Sequence, residues 1–190
     1  MGRMTEVVKH LIGINVVVFL AVYLSPFPSI REYFVLYPPG TPYFKPVQLF
    51  THMFMHGGEM HLLFNMLALY FIGPTVENYM GSRKFLYFYL FSGIGAMLLH
   101  LLIGGNAPVV GASGAIYGVL AGFAFIFPNT QLMLLFPPIP IKAKYLVTIL
   151  IVIDLFSGIS GTRTGIAHFA HLGGALFGIL LILYWRNFGR

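Results

Sequence analysis

The sequence predicts an all-α membrane protein: six transmembrane helices in one bundle, with both termini cytoplasmic. Three observations predict it. Hydrophobic residues make up 58% of the 190 residues and charged ones only 8%, too few to cover a soluble globule. Six apolar runs follow one another, with Gly, Pro and paired charges in the gaps. Basic residues concentrate in alternate gaps, as they do when one side of a membrane retains them.

The first run, Lys9–Leu24, follows Arg3 and has no clear small-residue cleavage site, so it reads as a retained span rather than a signal peptide. Pro26 and Pro38-Pro39 break the chain before the second run, Met60–Tyr79. Gly81 to Lys84 separate that run from the third, Phe85–Ile103. The fourth, Ser113–Phe127, and the fifth, Tyr145–Ser157, are short against the ~20 residues a spanning helix needs, and Pro137-Pro138 divide them. Gly158 to Gly161 precede the sixth, Gly165–Tyr184. The length allows a single domain over residues 1–190.

With the N-terminus inside, the cytoplasmic segments carry Arg3, Lys9, Arg83, Lys84, Lys142, Lys144, Arg186 and Arg190. The outer segments carry Arg31, Lys45 and Arg163. The formal charge of +6 is scattered in this way rather than gathered in a stripe, which argues against nucleic acid as a partner. No cysteine is present, so a thiol nucleophile, a disulfide framework and a thiolate metal site are excluded.

Against this apolar background a few polar residues stand out. Ser113 lies in Gly111-Ala112-Ser113-Gly114-Ala115 at the head of the fourth run, and His171 lies in Ala170-His171-Leu172-Gly173-Gly174 near the head of the sixth. Ionisable residues inside spans are costly and point to function. Both runs pass from outside to inside. Fifteen residues at about 1.5 Å each cover only ~22 Å of a ~30 Å core, which puts Ser113 roughly 8 Å below the outer surface. Six residues past Gly165, His171 lies about 9 Å down by the same rise. A nucleophile and a base then share one depth. Gly114, Gly118 and Gly122 on one run, and Ala170, Gly174 and Gly178 on the other, are spaced for close helix approach.

The second run brings His61 and Asn65, one turn apart on one face and at a similar depth. Two neutral donors converging on one point suit an oxyanion; interhelical hydrogen bonding is the plainer alternative. His52 and His56 are expected to support the outer loop, and His168 to face the cavity. No His-Glu-x-x-His pattern occurs, so a metal site is not expected, although a metal-dependent protease using the histidine cluster stays open. Asp154 lies within the fifth run. It could orient His171 as a third catalytic member, with helix packing or gating as the alternative. A Ser113–His171 dyad does not require it. Glu77 is expected to pair with Arg83 or Lys84.

His61-x-x-x-Asn65, then Gly111-x-Ser113-Gly114 with Tyr117 one turn on, then Ala170-His171-x-x-Gly174-x-x-x-Gly178 resemble the motifs of rhomboid intramembrane serine proteases, in that family's order. The five-residue Gly-x-Ser-x-Gly pattern of soluble hydrolases fails at Ala115. The resemblance implies Ser113 as nucleophile and His171 as general base, without a cofactor. It implies His61, Asn65 and the Ser113 N–H as oxyanion donors, and Tyr117 stacked on His171, with Gly111, Gly114 and Gly174 in support. It further implies hydrolysis near the outer end of single-span membrane proteins. The partners would be the transmembrane segments of substrates and the lipid bilayer. The family's usual Trp-Arg pair near the end of the first loop is replaced by Val47-Gln48, which bears on how that loop is anchored. A minimal six-span chain fits a bacterial or archaeal plasma membrane. The fifth run is the expected lateral gate. A transporter with Ser113, Asn65 and His171 along a pathway is the other class, although no inverted repeat relates the two halves.

Overall fold

The computed structural model describes residues 4–134, 137–161 and 165–188. Arg3, Arg163 and Arg190, which enter the charge count above, lie outside the described residues. Helix α1 (Glu6–Tyr23) leads into a long loop containing a 3-10 turn at Pro28–Tyr33. The short helix α2 (Gln48–Thr51) and a further turn at His52–Phe54 close that loop. Then come α3 (Glu59–Met80), α4 (Ser82–Ile103), α5 (Ser113–Ile126), α6 (Ala143–Ile159) and α7 (His168–Phe188). Between α5 and α6 a small antiparallel hairpin pairs β1 (Gln131–Met133) with β2 (Pro140–Lys142), Leu132 opposite Ile141. Three helices, α1, α4 and α7, are long and apolar enough by length and composition to cross a membrane, and α5 is a shorter apolar helix.

The second, third and fifth apolar runs lie within α3, α4 and α6, which extend into their polar flanks because backbone hydrogen bonding does not stop where hydrophobicity does. Helix α1 stops one residue short of Leu24 and α5 one short of Phe127, and the start of the sixth run moves furthest. Gly165 adopts φ +76, a left-handed conformation that an α-helix does not continue through, and α7 begins at His168. Counting helical rise from Gly165 therefore does not hold, and His171 sits in the first turn of α7.

The core is built around α4, whose Phe85, Phe88 and Tyr89 are fully buried. The small-residue stripes of α5 and α7 face each other. A Cβ on Gly174 would lie 1.8 Å from the Gly114 carbonyl oxygen, and one on Gly178 would lie 3.0 Å from the Gly118 Cα. Helix α4 joins this contact from the side: a Cβ on Gly118 would meet Ser92 Oγ at 2.2 Å, and one on Gly173 would meet the Gly95 carbonyl at 2.6 Å. Close backbone approach is what small residues supply where no hydrophobic effect drives helices together. Gly174→Ala is therefore expected to force α5 and α7 apart and destabilise the bundle by at least about 1–3 kcal/mol. Thermal unfolding in detergent checks this, with Gly13→Ala on α1 as the control, since an added methyl there meets open space.

Glu77 does not pair with Arg83 or Lys84. Its buried carboxylate accepts the Thr5 and Ser82 hydroxyls and the N–H groups of Val7 (3.1 Å) and Val8 (3.0 Å), so α3 caps the start of α1. Unpaired N–H groups and the positive end of the helix dipole favour a carboxylate there. Arg83 and Lys84 lie instead over the rings of Tyr87 and Trp185.

Candidate active site

Ser113 is the first residue of α5. Its N–H precedes the first intrahelical bond, which Ile116 donates to the Ala112 carbonyl, so among the described residues it has no backbone partner at the positive end of the helix. Two backbone contacts hold the segment leading to it. Leu36 and Val109 exchange hydrogen bonds of 2.9 Å in each direction, and Gly111 donates to the His52 carbonyl at 2.9 Å. Gly111 has φ +129, and a Cβ there would lie 2.8 Å from His61 Cε1, so conformation and space both call for glycine.

The loop that supplies Leu36 is tied down by Gln48. That side chain is fully buried; its Nε2 donates to the Glu32 and Tyr43 carbonyls, both at 2.8 Å, and its Oε1 accepts the Tyr37 N–H at 3.3 Å. One side-chain amide thus reaches three backbone groups of the loop. Lys45 adds a 2.8 Å ion pair with Glu32, which raises its pKa, and sits over the Tyr33 ring. His52 Nδ1 donates to the Gln48 carbonyl at 2.8 Å, a supporting contact of the kind expected of it. His56 differs from that expectation. It is buried with no hydrogen-bond partner at either nitrogen among the described residues, and it packs edge-on against His61, ring centroids 5.1 Å apart. Burial pushes both His52 and His56 down to about 4, so both imidazoles are neutral near pH 7.

His171 lies against Ser113. Its Nε2 is 2.9 Å from the Ser113 Oγ, and the Tyr117 ring stacks on it with centroids 4.1 Å apart and planes 12° from parallel. On its far side, Nδ1 is 3.2 Å from Asp154 Oδ2 and 3.3 Å from Oδ1. An Nδ1–H donated to this carboxylate leaves the Nε2 lone pair facing the serine hydroxyl, the tautomer a general base requires. The structure thus brings a third group to the pair, and it belongs to α6. The same carboxylate also meets His168 Nδ1, a contact sequence reasoning missed. The signal lay in the sequence: His168 and His171 are three residues apart on one helix, and Asp154 is the one acidic residue in the last two apolar runs.

His61 accepts the Gly57 N–H at Nδ1 (3.3 Å), which leaves its proton on Nε2, the nitrogen beside Gly111. Asn65 donates one amide hydrogen to the His61 carbonyl at 2.7 Å and has a second to give. Ser113, His171, His61 and Asn65 all line one open cavity of about 1730 Å³, bounded by Phe19 and Tyr23 of α1, Ser157 and Gly158 of α6, and Phe169 of α7. Chemically, the arrangement offers a nucleophile, a base with a carboxylate behind it, and neutral donors around the place where a carbonyl oxygen would sit.

Fold and site together define a helical membrane protein with a Ser–His–Asp constellation opening into a cavity between its helices. The chain belongs to the rhomboid family: the Rhomboid domain model matches residues 43–188. That family is one of intramembrane proteases that act on membrane-protein substrates within the bilayer. Among similar proteins, the human presenilin-associated rhomboid-like protein, mitochondrial, is 31% identical over 95% of this chain and 50% of its own length. Its bovine counterpart is 32% identical over the same shares. RHOMBOID-like protein 4 of Arabidopsis thaliana is 36% identical over 70% of this chain and 32% of its own. The chain thus spans half or less of the length of these relatives. They also correct one expectation. The relatives matched over 95% of the chain are mitochondrial proteins, and RHOMBOID-like protein 4 is a plant protein, so a bacterial or archaeal plasma membrane does not stand. The physical reason is simple: hydrophobic thickness and charge bias are much alike in these membranes, and span count carries no compartment address.

Proposed function

We propose that this chain is an intramembrane serine endopeptidase cutting single-span membrane proteins, and that residues 1–190 act as one domain. The observation that supports it most is the hydrogen-bonded line Ser113–His171–Asp154 at the edge of an open cavity among apolar helices. Helices α1 and α3 to α7 each cross the bilayer in this reading. An even number of crossings puts both termini on the side marked by Lys9, Lys84, Lys142 and Lys144. Ser113 heads α5 and so works near the opposite face.

The Ser113 Oγ attacks the scissile carbonyl while its proton passes to His171 Nε2. Asp154 holds the Nδ1–H and stabilises the imidazolium that forms. The oxyanion takes hydrogen bonds from the Ser113 N–H, the His61 Nε2–H and the Asn65 amide. His171 returns the proton to the leaving amine, and water then hydrolyses the acyl-enzyme by the same relay. Because a regular helix hides its peptide bonds, the substrate must unwind locally, which favours spans with Gly, Ala, Ser or Pro near that end.

Helix α6 is the entry side in this reading: its Val152, Ile153 and Phe156 are exposed, and it borders the cavity with Ser157 and Gly158. The test is cleavage of a single-span reporter in proteoliposomes, with and without a disulfide introduced between α3 and α6. Cleavage near the Ser113 side, blocked by the disulfide and restored by reductant, is expected. An uncut reporter contradicts the endopeptidase reading, and full cleavage by the verified cross-linked protein contradicts entry past α6. The double variant His61→Ala/Asn65→Ala should lose turnover rather than substrate affinity, since the donors act on developing charge. One such donor is typically worth about 10²–10³-fold in kcat. Parent-like turnover of the double variant removes both from the oxyanion site.

A further inference from the structure

The Asp154 carboxylate is buried, yet it serves two imidazoles. His168 Nδ1 meets Oδ1 as the closer partner, while His171 Nδ1 is shared almost equally between Oδ1 and Oδ2, at 3.3 and 3.2 Å. Both histidines project from the first turn of α7, whereas Asp154 reaches across from α6. The two helices are close at this point: a Cβ on Gly158 of α6 would lie 3.5 Å from His168 Cβ and 3.1 Å from the Phe169 ring.

The last torsion of an aspartate is broad and roughly two-fold, so a carboxylate with one partner has no fixed plane. That plane decides whether a lone pair faces His171 Nδ1. A second donor at Oδ1 removes the freedom, in the way that outer partners orient the ligands of metal sites. We propose that His168 is a positioning residue, whose Nδ1–H fixes the Asp154 carboxylate in the plane that orients His171. This rests on the reading of Ser113, His171 and Asp154 given above. It also explains why two buried histidines converge on a single acid: one helps carry the chemistry, the other holds the acid still.

Asparagine and glutamine separate this role from simple packing. The Nδ2 of asparagine takes the place of a histidine Nδ1, whereas the glutamine amide reaches to the place of Nε2. The full chain in proteoliposomes is assayed for kcat and KM on the single-span reporter, with thermal unfolding as the folding check. His168→Leu should lower kcat about ten- to a hundredfold, as loss of a hydrogen bond to a charged group does, with KM changed less than about twofold. His168→Asn should recover most of kcat, and His168→Gln should not. In the Asp154→Asn background, His168→Leu should add less than about twofold to the loss, read from the inactivation rate with a serine-directed phosphonate. Parent-like kcat in His168→Leu, equal rescue by asparagine and glutamine, or an undiminished loss in the Asp154→Asn background would each overturn the inference. If His168→Leu fails to fold, the asparagine–glutamine contrast alone decides. A parent enzyme without Ser113-dependent cleavage is a different result, since it removes the protease reading itself.

Discussion

Ser113→Ala and His171→Ala are each expected to bring cleavage of the reporter to near background. In the proposed mechanism the two act as a unit across a 2.9 Å hydrogen bond, so losing either should cost about as much as losing both. In soluble serine proteases such a unit is worth on the order of 10⁶-fold in kcat. Neither change should disturb the bundle, because Ser113 and His171 pack at the cavity edge rather than in the α4 core. Parent-like unfolding temperatures, no turnover, and a double variant no worse than either single one form the expected set. A Ser113→Ala protein that still cuts would mean the nucleophile lies elsewhere.

The next largest effect is expected at Asp154. Replacing an orienting carboxylate by its amide keeps the shape but invites the wrong imidazole tautomer, which costs about 10⁴-fold in a soluble triad. Here Tyr117 also fixes the ring plane by stacking, so part of the orientation survives. Asp154→Asn should therefore lose on the order of 10³–10⁴-fold in kcat with little change in KM. Measured kcat and KM of correctly folded Asp154→Asn distinguish the cases. Parent-like turnover would return the site to a Ser113–His171 dyad, with Asp154 reduced to joining α6 to α7.

Much of the candidate site's geometry is legible in the sequence because membrane helices leave few polar residues to choose from. Ser113 and His171 stood out as polar interruptions of apolar runs, and the four-residue spacing of Gly114, Gly118, Ala170, Gly174 and Gly178 said which faces meet. Asp154 could be named but not placed, since its contact depends on how the chain returns from α6 to α7, and no periodicity crosses that turn. The same turn delayed the start of α7 to His168, which spacing from Gly165 could not show. Glu77 misled because nearby basic residues in sequence suggest ion pairs, whereas the unpaired N–H groups of α1, far away in sequence, bind it. Residue type at Gln48 does not say how the loop is anchored; the fold does, where one buried amide makes three loop contacts. The compartment was not legible, because bilayer physics is shared among membranes.

The central claim is that His171 activates Ser113 as a nucleophile in this fold, and covalent labelling tests it most directly. Parent protein in detergent is treated with a serine-directed phosphonate, digested, and the adduct located by mass spectrometry. The account predicts one modified residue, Ser113, with labelling lost in His171→Ala and slowed in Asp154→Asn. An adduct at another residue, or labelling of Ser113 that proceeds equally well without His171, would contradict it.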